Sequence, residues 1–485
     1  MPYKSRWRID VPDTHLAPIL LTSRTAPLSK ADRCFLDAEH PDTHYFTTHD
    51  FRLWSQRFAA GLRKSDLRPG DRMLMFSGND LFFPVLESSW WEDSHATYLI
   101  CARASLDTGL EAARLVGMSR DRVFVFDNAL YDGQGVGKNG CRYWGELVAS
   151  PEEGEGFAWE DGTTGRPKGV EITHKNYVAN MLQFTYIERL HPNYEAKRAR
   201  KRCLCFLPLY HAMAQMIMIA ATLALNTPVY IMPKFDFIRM LEYTQKYRIT
   251  DYVVVPPIVV ALAKHPAVKQ YDLSGVEDIG CGAAPLSREV CEQVQALWPP
   301  GKNHLFAKIM AEDGVTELLE RKQRGELWVR GQNVIKGHWQ NPEATKATKT
   351  EDGWLKAGDV AFVDDHGKFH IVDRLKVSTG AIRLPPAELE ALLLEHPTVA
   401  DAAVIGIATD NDERPRAYVV LKPGQAASAK NIAQFIDGKV SPIKRITGGV
   451  AFIDIIPRNP SGKILRKMLR EQAQKELKEG VTAKL

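Results

Sequence analysis

The sequence predicts an α/β protein: a large, multi-layer α/β N-terminal domain with a β-rich module, followed by a small α+β C-terminal domain. Three observations carry this. Strand and helix signals alternate through most of the chain, the pattern of stacked α/β layers with largely parallel sheets. From Gly325 to Val372 the pattern changes to short strands broken by Gly and Asp turns. At 485 residues the chain also exceeds the size at which one hydrophobic core stops growing, so at least two domains are expected.

The elements follow in order. Within Phe51–Leu62, the residues Trp54, Phe58 and Leu62 recur four apart, which predicts an amphipathic helix. Arg68-Pro-Gly-Asp71 then turns the chain into a strand, Met73-Leu-Met-Phe76. Glu171–Leu182 reads as helix. Leu204 to Pro208 reads as a buried strand, with Cys203 and Cys205 on one face as small buried hydrophobes, and an apolar helical run begins at His211. Thr250–Val255 is a strand that Pro256-Pro257 ends, opening a helix through Lys264. GELWVRG, DGWLKAGD and DDHGKFHIVD supply the short strands of the β-rich module. Beyond them come a helix Pro386–Glu395, strands near Ala402–Ile405 and Arg416–Leu421, and a basic helical tail. The domain boundary is expected at Leu375–Lys376, giving domains 1–374 and 375–485.

Composition is that of a folded protein: 45% hydrophobic, 25% charged and 9% aromatic. Net charge is +4, and residues 441–485 alone hold ten Lys/Arg against four Asp/Glu. A solvated basic helix is the plainer reading of that excess, and nothing marks a nucleic-acid binder. The seven cysteines are scattered, with no CxxC pair and no Cys/His cluster at metal spacing, which points to reduced thiols. Met1–Asp10 is polar, so no secretory signal is expected, and Met213–Leu225 is too short to span a bilayer. The ending Ala483-Lys484-Leu485 resembles the Ser-Lys-Leu peroxisomal address, so import through the peroxisomal receptor is expected, with the cytoplasm as the alternative.

The sharpest chemical signal is Asp161-Gly-Thr-Thr-Gly-Arg-Pro-Lys-Gly-Val170. Its glycines let the backbone turn tightly and approach a ligand, while two hydroxyls, exposed N–H groups and Lys168 can hold phosphate oxygens. It is no Walker loop, because Lys168 stands between Pro167 and Gly169 rather than before Ser or Thr. A Gly/Thr turn without a ligand is the plainer alternative. Gly133-Gln-Gly-Val-Gly-Lys138 has a similar flavour but lacks the first Gly and the Ser/Thr, and reads as a surface loop.

That string resembles the phosphate loop of the adenylate-forming superfamily, which includes acyl-CoA synthetases, 4-coumarate–CoA ligases, luciferases and peptide-synthetase adenylation domains. Further strings match in order. Leu207-Pro-Leu-Tyr-His211 resembles the strand-to-helix segment beside the acyl pocket, and Gly280-Cys-Gly-Ala-Ala-Pro285 the turn that lines the pocket and approaches adenine. Gly358-Asp359 and Asp373-Arg374 resemble the motifs that reach the ribose and phosphate, and Asn459-Pro-Ser-Gly-Lys463 the motif of the catalytic lysine. The resemblance implies an ATP-dependent acid–thiol ligase, with ATP, Mg²⁺ and coenzyme A as cofactors and a fatty or aromatic carboxylic acid as substrate. It implies ATP/AMP binding by Thr163, Thr164, Gly165, Lys168, Gly282, Ala283, Ala284, Asp359, Arg374 and Lys463. Lys463 and His211 would be catalytic, and Tyr210, His211 and Gly282 would line the acyl pocket. Lys376 would be the hinge of a mobile C-terminal domain, and Gly380 would approach CoA.

The likeness breaks at four places. Glu160-Asp161 stands where the family carries Ser or Thr before Gly, and two carboxylates beside a triphosphate repel it unless they point away. Pro84–Ser94 and Pro300–Lys308 are short where relatives run on, the second gap removing the expected Mg²⁺-holding Glu motif, so the metal ligands are unknown. Val315-Thr-Glu317 reads as part of the following hairpin instead. Val377–Leu384 replaces a Lys- and Gly-containing segment. Segments missing from the chain explain such abrupt gaps better than gradual divergence. Two alternatives stand beside the ligase: a family member that binds nucleotide or acid without turnover, and a stand-alone adenylation enzyme that loads a carrier protein.

Overall fold

The computed structural model describes residues 9–12, 20, 29–65, 73–89, 97–157, 172–282, 293–294, 297, 325–338, 341–363, 369–374, 386–408, 413–422, 424–440, 445–458 and 464–478. The chain divides into two compact units: Met1–Tyr252 with Ala311–Glu320 and Glu326–Ala357, and Val253–Met310 with Arg321–Gly325 and Gly358–Leu485. The expected boundary at Leu375–Lys376 lies outside the described residues.

The first unit opens with β1 (Arg33–Asp37), β2 (Tyr45–Thr47) and helix α1 (Thr48–Lys64). The α1 start is closed by a reciprocal cap: Thr47 Oγ1 accepts from the Asp50 N–H at 3.1 Å, and Asp50 accepts from the Thr47 N–H at 3.1 Å. Of its predicted stripe, Phe58 and Leu62 are buried and Trp54 is half-buried, while Phe51 joins them in the core. Next come β3 (Met73–Phe76), α2 (Phe83–Ser89), β4 (Tyr98–Ala102), α3 (Leu106–Leu115), β5 (Val123–Phe126) and β6 (Arg142–Tyr143). These four strands form a parallel sheet in the order β3–β4–β5–β6. β5 is buried throughout and β4 in all but its last residue, as strands covered on both faces require. Trp144 anchors the packing beside it, edge-on to Phe82 and Phe126 with ring centroids 5.0 and 5.3 Å away.

Helix α4 (His174–Arg189) is capped by Thr173 and Asn176 and buries Tyr177, Val178 and Met181 against Met216 and Ala220. Glu171, where the sequence placed its start, lies outside the described residues. Strands β7 (Cys203–Cys205) and β8 (Val229–Ile231), helix α5 (Phe237–Tyr247) and the start of β9 (Asp251–Val254) complete this region. In this unit the strands run β9–β7–β8–β1–β2, parallel except for β1 against β2. The strand expected over Leu204–Pro208 is shorter than its apolar run, ending at Cys205. The apolar run after His211 is helical in three pieces, with a π-helical stretch at Gln215–Ala221 between α-helical turns.

Helix α6 (Pro256–Lys264) and strand β10 (Asp278–Cys281) belong to the second unit, α6 with proline in its first turn as expected. Of the β-rich module, β11 (Gly325–Val329) lies from Glu326 onward in the first unit with helix α7 (Pro342–Thr348), a helix the strand pattern did not announce. Strand β12 (Leu355–Val363) then pairs antiparallel with β13 (Phe369–Arg374).

The second unit ends in a three-stranded sheet, β14 (Val399–Ala408), β15 (Glu413–Leu421) and β16 (Val450–Phe452), between α8 (Pro386–Glu395), α9 (Ala429–Asp437) and α10 (Arg466–Lys478). Strand alternation explains the layers. Ala402 and Val404 join Leu389, Leu393, Ile432 and Ile436 on one side, while Ala403, Ile405 and Tyr418 join Leu469 and Ala473 on the other.

Candidate active site

Tyr210, His211, Gly282, Asp359 and Arg374 fall among the described residues. Thr163, Thr164, Gly165, Lys168, Ala283, Ala284, Lys376, Gly380 and Lys463 lie outside them.

Tyr210 and His211 follow the C-terminal end of β7, the end at which parallel α/β sheets bind ligands. Phe206, Leu207 and Leu209 are buried, so their backbone groups need partners that the strand no longer supplies. Asn79 provides them for Leu207 and Leu209. Its Nδ2 donates to the Leu207 carbonyl at 3.0 Å and the Met232 carbonyl at 3.1 Å, and its Oδ1 accepts from the Leu209 N–H at 2.8 Å. One amide thus ties the exit of β7 to the exit of β8 and sets where Tyr210 and His211 emerge. Sequence reasoning missed Asn79, because no pattern links it to a partner 128 positions away.

The Tyr210 side chain is 46% exposed beyond this clamp, and partial burial raises its phenol above the ordinary range. His211 caps the helical turn that follows. Its Nδ1 accepts from the Met213 N–H at 3.3 Å, and its own N–H donates to the Pro208 carbonyl at 3.0 Å. With Nδ1 engaged as acceptor, a neutral imidazole carries its proton on Nε2, where it can donate to a carboxylate or phosphate oxygen. The π-helical stretch that follows this turn, from Gln215, is an irregularity frequent at functional sites.

In the second unit Gly282 follows the C-terminal end of β10, held by its N–H to the Val254 carbonyl at 3.1 Å. Asp359 and Arg374 form one rung of the antiparallel β12–β13 pair. Gly358, just before Asp359, has φ of +70° with nothing within 4 Å of a built Cβ. The residue is therefore glycine for its backbone, not for want of space. The register shifts between Val360 and Ala361, one residue beyond the rung, as a bulge that re-aims a strand does.

Among the described residues no group of three or more His, Cys, Asp or Glu could hold a metal ion. The described cysteines are free; desolvation pushes the Cys203 thiol well up and Cys205 to about 12, which suits inert packing rather than nucleophiles. Gly133–Lys138 is largely exposed, as a surface loop would be. No described helix is long and apolar enough to cross a membrane.

The AMP-binding enzyme family profile matches residues 162–317, and the AMP-binding enzyme C-terminal domain profile matches residues 388–463. The first span holds the Thr163–Lys168 string, His211 and Gly282, and ends on Glu317; the second ends on Lys463. 4-coumarate–CoA ligase 1 of Petroselinum crispum is 32% identical over 508 aligned positions, covering 90% of each chain. 4-coumarate–CoA ligase 1 of Solanum tuberosum is 34% identical over 499, again 90% of each. Ninety per cent of 485 residues is about 437, so about 70 of the 508 positions are filled in the parsley enzyme alone.

Two solved structures share the fold. ATP-bound MatB from Rhodopseudomonas palustris aligns with a TM-score of 0.73 at 22% identity, covering 94% of this chain and 98% of that one. A benzoate CoA ligase from Burkholderia xenovorans LB400 aligns with a TM-score of 0.71 at 20% identity, covering 94% and 99%. With motifs in order, strand-end placement of His211 and Gly282, and a relative matched along nine-tenths of its length, the chain belongs to the AMP-binding, adenylate-forming enzyme family, among its AMP-forming acid–thiol ligases.

Proposed function

We propose that this protein activates a fatty or aromatic carboxylic acid with ATP and transfers the acyl group to coenzyme A. The carboxylate oxygen attacks the α-phosphorus, pyrophosphate leaves, and an acyl-adenylate remains. The CoA sulfur then attacks the acyl carbon, and AMP leaves in place of the oxide that a free acid would have to expel. The observation that carries this reading is the Asp359–Arg374 rung, which brings an acidic and a basic position of the nucleotide motifs together. The two 4-coumarate–CoA ligases favour an aromatic acid.

In this reading Asp359 accepts the ribose hydroxyls and Arg374 reaches ribose and phosphate. Thr163, Thr164, Gly165 and Lys168 cradle the phosphates, with Mg²⁺ accompanying the triphosphate. Gly282, Ala283 and Ala284 approach adenine, and Tyr210 and His211 line the acyl pocket. Lys463 neutralises charge building on the α-phosphate, and such a preorganised charge is the strongest single lever on a transition state. Domains 1–374 and 375–485 move about Lys376 between the two steps, bringing Gly380 toward CoA. Ala483-Lys484-Leu485 sends the protein to peroxisomes through the import receptor; a fluorescent fusion retaining that ending and staying in the cytosol sinks this part.

A second reading, nucleotide or acid binding without turnover, draws on Glu160-Asp161 and on the roughly 70 positions this chain lacks against its parsley relative. Acid-dependent exchange of labelled pyrophosphate into ATP, run over aromatic and fatty acids, separates the two. Exchange with any acid supports the ligase, and binding of ATP without exchange supports the silent relative.

A further inference from the structure

In the sequence Lys463 falls between two arginines, Arg458 and Arg466, that are both held by carboxylates of the same C-terminal module. Arg458 Nη2 donates to Asp401 Oδ1 at 2.8 Å, and Asp401 lies at the register shift near the start of β14. Arg466, the first residue of α10, grips Glu390 of α8 with two prongs, Nη2 to Oε2 at 3.0 Å and Nη1 to Oε1. Arg466 Nη1 also donates to the Val404 carbonyl at 2.7 Å, while Glu390 Oε1 accepts from the Val404 N–H at 2.7 Å. The stretches that flank residues 459–463 pair with each other. Arg458 and Ile464 form an antiparallel bridge, and the Leu465 N–H donates to the Pro457 carbonyl at 2.9 Å.

Two kinds of force therefore hold the residues that flank 459–463. Ile456, Ile464 and Leu469 pack with Ala403, Ile405 and Tyr418, which fixes how closely the ends lie on the sheet. Apolar contact is non-directional and leaves orientation free. A guanidinium gripped at two points is directional, because its donors are coplanar and match a carboxylate in one geometry. Glu390 is only 9% exposed, so its charge needs the full set of partners it has.

We propose that Glu390 and Asp401 are positioning residues for Lys463, holding both ends of its segment so that the ammonium reaches the α-phosphate during adenylation. The proposal rests on the reading of Lys463 as the adenylation lysine. Misplacing a catalytic group by about 1 Å costs on the order of a hundredfold in rate.

The test uses the full chain carrying Glu390→Gln, Asp401→Asn or Arg466→Lys, which alter charge or geometry without removing bulk. Two half-reactions are measured: pyrophosphate exchange, and CoA transfer from synthetic acyl-adenylate. Exchange kcat should fall about tenfold or more, with KM for ATP and the rate of transfer within about twofold of wild type. Placed on Lys463→Ala, Glu390→Gln should cost nothing further, since positioning an absent group has no value. Lys439→Ala, which breaks the module's Lys439–Glu395 pair, should leave both half-reactions unchanged. Equal losses in both half-reactions, or an undiminished further loss in the Lys463→Ala background, overturn the proposal. Full exchange by Lys463→Ala alone overturns the underlying reading instead. In a chain without exchange, hydrogen exchange at the Leu465 amide decides: faster in Glu390→Gln and Asp401→Asn if they anchor the segment, unchanged if they do not.

Discussion

Asp359 and Arg374 stand directly opposite each other across the antiparallel β12–β13 pair, two residues distant in sequence and joined by strand register. Val360 pairs with Asp373 next to them, and the register slips one step further on. The two motifs therefore meet because the strands pair in this register. A one-residue slip would reverse the facing of every side chain beyond it.

Replacing Asp359 with alanine should weaken nucleotide binding in both half-reactions. Hydrogen bonds to a charged acceptor contribute about 1.5–3 kcal/mol, so KM for ATP should rise roughly 10- to 100-fold. Steady-state exchange kinetics at varied ATP check this, and an unchanged KM removes Asp359 from the nucleotide site.

Gly358→Ala should hurt through the backbone alone, because φ is +70° and nothing crowds the position. A left-handed alanine costs roughly 1–2 kcal/mol, visible as a lower Tm and weaker ATP binding. Gly358→Asn should lose less, since asparagine tolerates that region better. Equal Tm for alanine and glycine at 358 would contradict the assignment.

Asn79→Ala strips partners from the Leu207 and Met232 carbonyls and the Leu209 N–H together. Each buried group left unsatisfied costs about 1–3 kcal/mol, so a clear fall in Tm is expected. In the variant that still folds at low temperature, KM for the acid should rise more than KM for ATP. The reverse order would place Asn79 outside the acyl side of the site.

Why some of this was legible and some not follows from the range of the forces involved. Helices α6 and α8 matched their expected bounds because Pro256-Pro257 and Pro386 mark starts locally. Helix α7 escaped, although Asn341 caps it and Pro342 opens it, because Gly and Asp turns on either side set a strand-like rhythm. The strand after Lys201 stops at Cys205 although its apolar run continues, since Asn79 takes over the backbone pairing from 128 positions away. Motif strings named Asp359 and Arg374, but only the register shows them as one rung.

Asp80 offers a pH test. Burial, reinforced by Asp127 and Asp37 and opposed by the Phe82 N–H, pushes its carboxyl from 3.8 up to about 7. Between these values the folded state binds the proton that the unfolded state has released. This contribution to stability is fully present below about pH 4 and falls as pH climbs to about 7. Asp80→Asn stays uncharged, so urea unfolding at pH 5 and pH 8 should show it gaining on wild type at the higher pH. A constant difference between the two proteins would contradict the raised carboxyl.

Acid-dependent pyrophosphate exchange by the wild-type chain, measured beside Lys463→Ala, bears most directly on the proposed activity. Wild type should exchange with at least one aromatic or fatty acid. Lys463→Ala should lose a hundredfold or more, on the order seen when one preorganised charge leaves a transition state, while still converting synthetic acyl-adenylate to thioester. Nucleotide binding without exchange by wild type, or undiminished exchange by Lys463→Ala, would contradict it.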